Sequence, residues 1–230
     1  MPDIFIHSFR FTEHVHLVDE AACCLSAEEL ARAARFKVDS ARQDFCVAHC
    51  LLRQTLSRYL HTDARSISYR YGEHGKPYLD APASQSVHFS LSHSGDRLLI
   101  AVCRGTEIGV DIELVQDRSD PVRLASHCMS RDEAQQLAQL TDPVAQRDCF
   151  FSLWTRKEAF IKALGKGFFY PFNQTGMREI APGVHLAGSQ DYPHYQVIDL
   201  EVAADYKAAV AAHMDGDSLA DAIGIKVLAE

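Results

Sequence analysis

The sequence predicts an α+β chain, and three observations carry that prediction. Helical periodicity dominates from about residue 26 to 60. Four strand-like runs then follow one another to residue 113. A second helical stretch, from about 130 to 165, leads into three more strand-like runs.

The elements follow in order. IFIHSFRF, near the start, alternates as a strand does. SAEELARAARF opens with Ser26 and Glu29 at capping-box spacing and reads as a helix. From about 40 to 60, Phe45, Ala48, Leu52, Leu56 and Tyr59 recur at three- and four-residue steps, giving a helix with one apolar face and with Arg42 and Arg53 off that stripe. SISYRY, VHFSLS, RLLIAVC and EIGVDIE read as strands, separated by turn-rich GEHGKP and HSGD. LVQDRSDP reads as a connector, after which Ser130 and Glu133 open a helix through about Leu140. A further helix starts at Asp142, with Pro143 in its first turn, and stops at Gly165. The last three strands cover about 183–189, 194–200 and 206–213. No repeat or low-complexity tract is visible.

The 230 residues are 47% hydrophobic, enough for one large core or two modest ones. A formal net charge of −8 argues against nucleic acid as a partner. The N-terminal residues lack a signal-peptide pattern, and the longest apolar run, LLIAVC, is far short of the ~20 residues that cross a membrane. A cytoplasmic protein without a membrane partner is expected. Seven cysteines, two of them adjacent at Cys23 and Cys24, fit reduced thiols better than a disulfide framework. Cys46, His49 and Cys50 have helical spacing but no second ligand pair, so they read as core packing rather than a metal half-site. NQT at 173–175 reads as a chance sequon. From Arg32 to Arg58, six Lys or Arg stand against two Asp, a local anion footprint or the solvated flanks of amphipathic helices.

Strand alternation sends Asp111 and Glu113 to one face and Val110 and Ile112 to the other. Paired hard oxygen donors suit Mg²⁺, and a strand end entering solvent would also account for them. In WTRKEAFIKALGKG, Trp154, Glu158 and Lys162 fall at four-residue steps on one helix face, where a Glu to Lys pair is ordinarily a solvated contact. GKP and SLSHSG place Lys76, Ser92 and His93 beside turn-forming residues, in positions able to bind phosphate.

Taken together and in order, GKPYL, FSLSHSG, IGVDIE and LWTRKEAFIKALGKG resemble the 4′-phosphopantetheinyl transferase superfamily. The match is to the larger type that activates polyketide and non-ribosomal peptide synthetases, in the branch with Trp and Lys-Glu-Ala in this helix. It runs from about residue 26 to 172. It implies a monomeric pseudo-dimer of two similar α+β halves, 1–104 and 105–230, each a small antiparallel sheet packed with a long helix, with coenzyme A in the cleft between them. The implied enzyme is of the holo-[acyl-carrier-protein] synthase type. It would use Mg²⁺ to move the 4′-phosphopantetheine arm of coenzyme A onto a serine of an apo acyl, aryl or peptidyl carrier protein, releasing adenosine 3′,5′-bisphosphate.

The resemblance also implies roles for single residues. Asp111, Glu113 and Glu158 would hold the metal, with Asp111 also beside coenzyme A. Glu158 would be the base, and Lys162 would sit at the pyrophosphate and take part in catalysis. Lys76, Pro77, Ser92 and His93 would hold the nucleotide and its phosphates. Arg42 and Arg53 would serve the 3′-phosphate, in a region where His49 replaces the arginine of many relatives. In GFFYPF, Phe168, Phe169 and Tyr170 would either dock the carrier or plug the core. Two other functions compete. A Mg²⁺-dependent nucleotide phosphohydrolase would need similar groups, but no P-loop motif is present. A non-catalytic module binding coenzyme A or a carrier would not need all three acids.

Overall fold

The computed structural model describes residues 3–80, 86–117, 120–167, 170–188, 191–215, 218–222 and 228–229. Strand β1 (Asp3–Arg10) is followed by helices α1 (Leu17–Cys24), α2 (Ala27–Ala33) and α3 (Asp39–Leu60). Strands β2 (Tyr69–Tyr71), β3 (Pro77–Leu79), β4 (Val87–Ser94), β5 (Arg97–Arg104) and β6 (Ile108–Leu114) come next. After α4 (Pro121–Cys128), α5 (Arg131–Gln139) and α6 (Pro143–Leu164), the chain closes with β7 (Gly176–Ala181), β8 (Val184–Gly188), β9 (Tyr195–Asp199), β10 (Tyr206–His213), α7 (Leu219–Ala222) and β11 (Leu228–Ala229).

Two main sheets organise these elements. One has the order β11-β1-β5-β4 and the other β6-β10-β9-β8-β7, while β2 and β3 form a separate hairpin. Each main sheet carries a long helix, which places the chain in the α+β class with two halves of similar build. Strand alternation explains the layering. On β5, Leu98, Ile100 and Val102 pack against α3, whereas Leu99, Ala101 and Cys103 join Ile108, Val110 and Ile112 of β6 in a core shared by both sheets. On β10, Ala209 and Ala211 pack with α6, whereas Val210 faces the shared core.

The two sheets meet along β4 and β6. β6 lies at the edge of its sheet, and a buried strand edge needs partners for its N–H groups. β4 supplies hydroxyls in place of a ladder: Val110 N–H donates to Ser90 Oγ and Leu114 N–H to Ser94 Oγ, each at 3.1 Å. Serines two residues apart share one strand face, so 90, 92 and 94 all turn toward β6.

The helix ends follow the sequence signals. α2 and α5 each have a complete capping box, from Ser26 with Glu29 and from Ser130 with Glu133. α6 starts at Asp142, whose carboxylate accepts the Val144 and Ala145 N–H groups, and it stops at Gly165 in the left-handed region at φ 68°. Other segments differ from expectation. Of LVQDRSDP, Leu114 still belongs to β6, Asp120 caps α4 and Pro121 opens it, while residues 118 and 119 lie outside the described residues. α1 and α4, at eight residues each, are too short to show a helical period. SISYRY pairs as a strand only from Tyr69, since Ser66 closes a 3₁₀ turn at residues 64–66 and Ile67 turns extended just after it, and strands β3 and β7 go beyond the expected set. The seven cysteines are free thiols, with Cys46 and Cys50 buried in the α3 core.

Lys157 shows how α6 is anchored. It is 1% exposed, pairs with Glu133 at 2.7 Å, and donates to the carbonyls of Phe172 and Thr175. Glu133 also accepts the Met177 N–H, so one buried ion pair ties α5, α6 and the start of β7 together. Lys157→Met should lower stability by about 3 kcal/mol in urea denaturation, because Glu133 keeps a buried charge without its cation. The double variant Lys157→Met/Glu133→Gln should recover part of that loss.

Candidate active site

α6 crosses β6 closely because the contact is built from small residues. Gly109 lies under the α6 backbone, with Ala159 and Ala163 fully buried beside it. The residues next along α6, Glu158 and Lys162, then overhang the β6 face that carries Asp111 and Glu113. Alternation of β6 and four-residue spacing on α6 thus converge on one place.

Asp111 is 3% exposed. Its Oδ1 accepts Ser92 Oγ–H and Lys162 Nζ–H, both at 2.7 Å, and Lys162 also donates to Ser92 Oγ at 2.8 Å. Asp111 Oδ2 is buried without a hydrogen-bond partner. Glu113 accepts Ser94 Oγ–H at 3.0 Å and Trp154 Nε1–H at 3.3 Å. Burial, and then the Asp111 charge, raise the Glu113 carboxyl above its ordinary value. Glu158 is pushed up to about 7 by burial, then by Asp111, with Glu113 adding to the shift and Lys162 opposing it. Three carboxylates therefore share one lysine, and Glu158 changes charge near neutrality.

The residues fit a divalent cation in donor chemistry. They offer hard oxygens, more negative charge than Lys162 balances, and one buried carboxylate oxygen without a partner. Among the described residues, no group of three or more His, Cys, Asp or Glu side chains is arranged to hold a metal ion by itself, so a cation here would need oxygens from a bound phosphate as well.

A cavity of about 360 Å³ adjoins this cluster through Lys162 and Ser90. Its walls include Arg32, His49, Tyr71, His74, Lys76, Pro77 and Phe89 from the first half and Ile161, Lys162 and Gly165 from the second, so both halves of the molecule contribute. His49 stacks on Phe45 with ring centroids 4.0 Å apart, and the Arg32 guanidinium lies 5.2 Å from the same ring. Behind this wall, Glu29 accepts His49 Nδ1–H at 3.0 Å and Arg53 Nε–H at 2.6 Å. Burial works against the Glu29 charge, yet the His49 and Ser26 hydrogen bonds and the Arg53 charge hold its carboxyl down at about 2.

The expected site residues are distributed unevenly. Asp111, Glu113, Glu158, Lys162 and Ser92 come together, and Lys76 and Pro77 line the adjoining cavity. Lys76 is also bound within the protein, to Glu107 at 2.6 Å and to the Ala163 carbonyl near the end of α6 at 2.8 Å. His93 projects from the β4 face opposite Ser92. There it meets Phe11 edge to face at 5.6 Å while remaining exposed to solvent.

Arg53 is not brought into the cavity. It is 1% exposed and donates to Glu29, Ala64 O and Ile67 O. The expected solvated flank is covered because α3 is enclosed on more than one side. Arg42 lies outside the cavity wall, 3.4 Å from Asp39. Arg32 and His74 were missed as site residues. Arg32 lay within the basic stretch, but only the α2–α3 turn, invisible to periodicity, sets it over Phe45. Phe168 and Phe169 lie outside the described residues, whereas Tyr170 packs against Phe160 and Tyr192 beside the α6 core. No helix among the described residues is long and apolar enough to cross a membrane.

Most of the chain matches known proteins. Residues 107–211 match the model of the 4′-phosphopantetheinyl transferase superfamily, and residues 13–104 match that of the 4′-phosphopantetheinyl transferase N-terminal region. A 4′-phosphopantetheinyl transferase of Bacillus subtilis is 31% identical over 201 residues, covering 86% of each chain. The 4′-phosphopantetheinyl transferase Sfp of Bacillus subtilis strain 168 is 32% identical over 193 residues, covering 83% of this chain and 84% of its own. HetI of Nostoc, also a 4′-phosphopantetheinyl transferase, is 37% identical over 151 residues, covering 65% and 63%. At this identity and coverage, the chain belongs to the 4′-phosphopantetheinyl transferase superfamily.

Proposed function

We propose that this protein moves the 4′-phosphopantetheine arm of coenzyme A onto a serine hydroxyl of an apo carrier protein, with Mg²⁺ as the cation. The observation that carries this is the acid cluster of Asp111, Glu113 and Glu158 beside a cavity whose walls include Arg32, Lys76 and Lys162. Cationic walls suit a phosphate-rich co-substrate, and the acids suit a cation and a base.

In the reaction, the serine oxygen forms a bond to the phosphorus that bears the arm. The bond from that phosphorus to the bridging pyrophosphate oxygen breaks, adenosine 3′,5′-bisphosphate leaves, and Glu158 takes the serine proton. Before a cation is bound, burial and the neighbouring acids raise this carboxyl to about 7, which favours a group that takes up a proton. Lys162, fixed by Asp111 and Ser92, carries positive charge to the cavity edge, where negative charge develops on the leaving group. Asp111, Glu113 and Glu158 would hold Mg²⁺, which when bound offsets charge on the pyrophosphate.

The direct test is to incubate the purified protein with coenzyme A, Mg²⁺ and a panel of apo acyl, aryl and peptidyl carriers, and to weigh the carriers. A gain of one phosphopantetheine arm on serine supports the activity and identifies the accepted class. No gain on any carrier refutes it.

Glu158→Gln separates the base from binding. Turnover should fall by about 10²-fold or more with little change in the KM for coenzyme A. In the parent protein with Mg²⁺ bound, the cation should draw the Glu158 ionisation below the metal-free value of about 7, so kcat should rise with pH and level off before neutrality. The same substitution should act on stability with the opposite pH sense. The folded state holds the Glu158 proton more tightly than the ordinary value of 4.5, so stability falls as pH rises from there through about 7. Without divalent metal, Glu158→Gln should therefore melt higher than the parent at pH 8, with the gap closing toward pH 4.5.

A further inference from the structure

Glu113 is held from two sides by groups that the proposed chemistry does not itself employ. Ser94 ends β4 in the first sheet, and Trp154 lies on α6 against the second. Ser94 has one hydroxyl proton. Its oxygen accepts the Leu114 N–H at 3.1 Å, and its proton goes to Glu113 Oε2 at 3.0 Å, an oxygen that as a carboxylate can only accept. Trp154 gives its only donor to Glu113 Oε1 at 3.3 Å, and its ring is fixed by stacking on Phe172 and Phe150, with centroids 5.1 and 6.1 Å away. Asp111 differs, since its Oδ1 takes two donors and its Oδ2 none.

A glutamate has three side-chain torsions to fix, and a ligand left free to choose among rotamers loses affinity for its ion. Groups that orient a ligating carboxylate therefore count beside the ligand itself. We propose that Ser94 and Trp154 are positioning residues for transfer, clamping Glu113 in one orientation across the seam between the halves so that the acid pair is set before coenzyme A arrives. This deepens the proposed function and rests on Glu113 as a ligand of the divalent cation. Ser94 serves the seam as well, since the same oxygen that satisfies Leu114 on the β6 edge directs the proton to Glu113. A shift between the sheets at this point would be felt at the acid cluster.

The test compares Ser94→Ala, Ser94→Thr and Trp154→Phe, with Glu113→Ala as the reference. Mn²⁺ binding is measured by electron paramagnetic resonance with coenzyme A present and no carrier, so nothing turns over. kcat and KM are then measured with Mg²⁺ and an apo carrier, and thermal melts confirm folding. Ser94→Ala and Trp154→Phe should each weaken Mn²⁺ binding and lower kcat by roughly tenfold to a hundredfold, with a smaller change in the KM for coenzyme A. Ser94→Thr, which keeps the hydroxyl, should restore both.

If Glu113→Ala binds Mn²⁺ as the parent does, the ligand assignment fails and the clamp loses its purpose. If Glu113→Ala loses Mn²⁺ while folded Ser94→Ala and Trp154→Phe keep parental binding and turnover, the positioning role alone is overturned. Should Ser94→Ala not fold, Trp154→Phe decides by the same criterion, and a folded Ser94→Thr that still loses Mn²⁺ counts against the clamp.

Discussion

Asp111→Ala should lower phosphopantetheinyl transfer by about 10³-fold or more and leave the protein folded. The loss follows from position. Asp111 is the buried member of the acid pair, it offers an unpartnered Oδ2 to a cation, and it fixes Lys162 at 2.7 Å. Removing it withdraws charge stabilisation from the transition state twice, through the ligand and through the lysine. Stability should change little. The Lys162 side chain is 30% exposed, so water can replace its partner, and one member of a crowded set of like charges is gone.

A second readout distinguishes this from general damage to the site. The Asp111 charge ranks after burial among the causes that push Glu158 up to about 7. In Asp111→Ala the Glu158 carboxyl should therefore titrate lower, by carbon-13 NMR of labelled glutamate, although burial keeps it above its ordinary value. Unaltered turnover in saturating Mg²⁺ would refute the ligand role, and an unmoved Glu158 titration would refute the coupling.

The legible parts of this molecule were those that local periodicity dictates. The common face of Asp111 and Glu113 follows from strand alternation, and the alignment of Trp154, Glu158 and Lys162 follows from helical spacing. The limits of α6 follow from Asp142, Pro143 and Gly165. The opposite directions of Ser92 and His93 were equally legible, since neighbours on a strand face opposite ways. Positions that depend on partners distant in sequence were not legible. Nothing around Arg53 announces that Glu29, 24 residues earlier, will draw its guanidinium inside, or that Glu107, 31 residues beyond Lys76, will pair with that lysine. The serine seam was hidden for a similar reason. Alternation shows that 90, 92 and 94 share a face, but only the docking of two sheets shows that this face meets the edge of β6.

Gly109→Ala should be the most damaging small substitution in the protein. The position is not one that needs glycine for its backbone angles; it needs glycine for space. A Cβ there would lie 2.0 Å from the Ala159 carbonyl oxygen and 2.4 Å from the Ala163 nitrogen, both backbone atoms of a helix anchored elsewhere by the buried Lys157 and Glu133 pair. Those atoms cannot swing aside as a side-chain tip would, so α6 must lift from β6 or the strand must bend. Either movement opens the contact among Ala159, Ala163, Ala209 and Ala211, and it carries Lys162 away from Asp111. We expect a stability loss of about 4 kcal/mol or more by chemical denaturation, at the upper end for a single methyl group. Transfer activity in any remaining folded protein should fall by about 10²-fold, since a shift near 1 Å at the acid cluster is enough for that. Ala163→Gly is the informative partner. If the clash is with the helix backbone, as these distances require, removing the neighbouring methyl will not rescue Gly109→Ala. Full rescue would place the conflict in side-chain packing, and α6 would then be free to settle on β6 without a glycine beneath it.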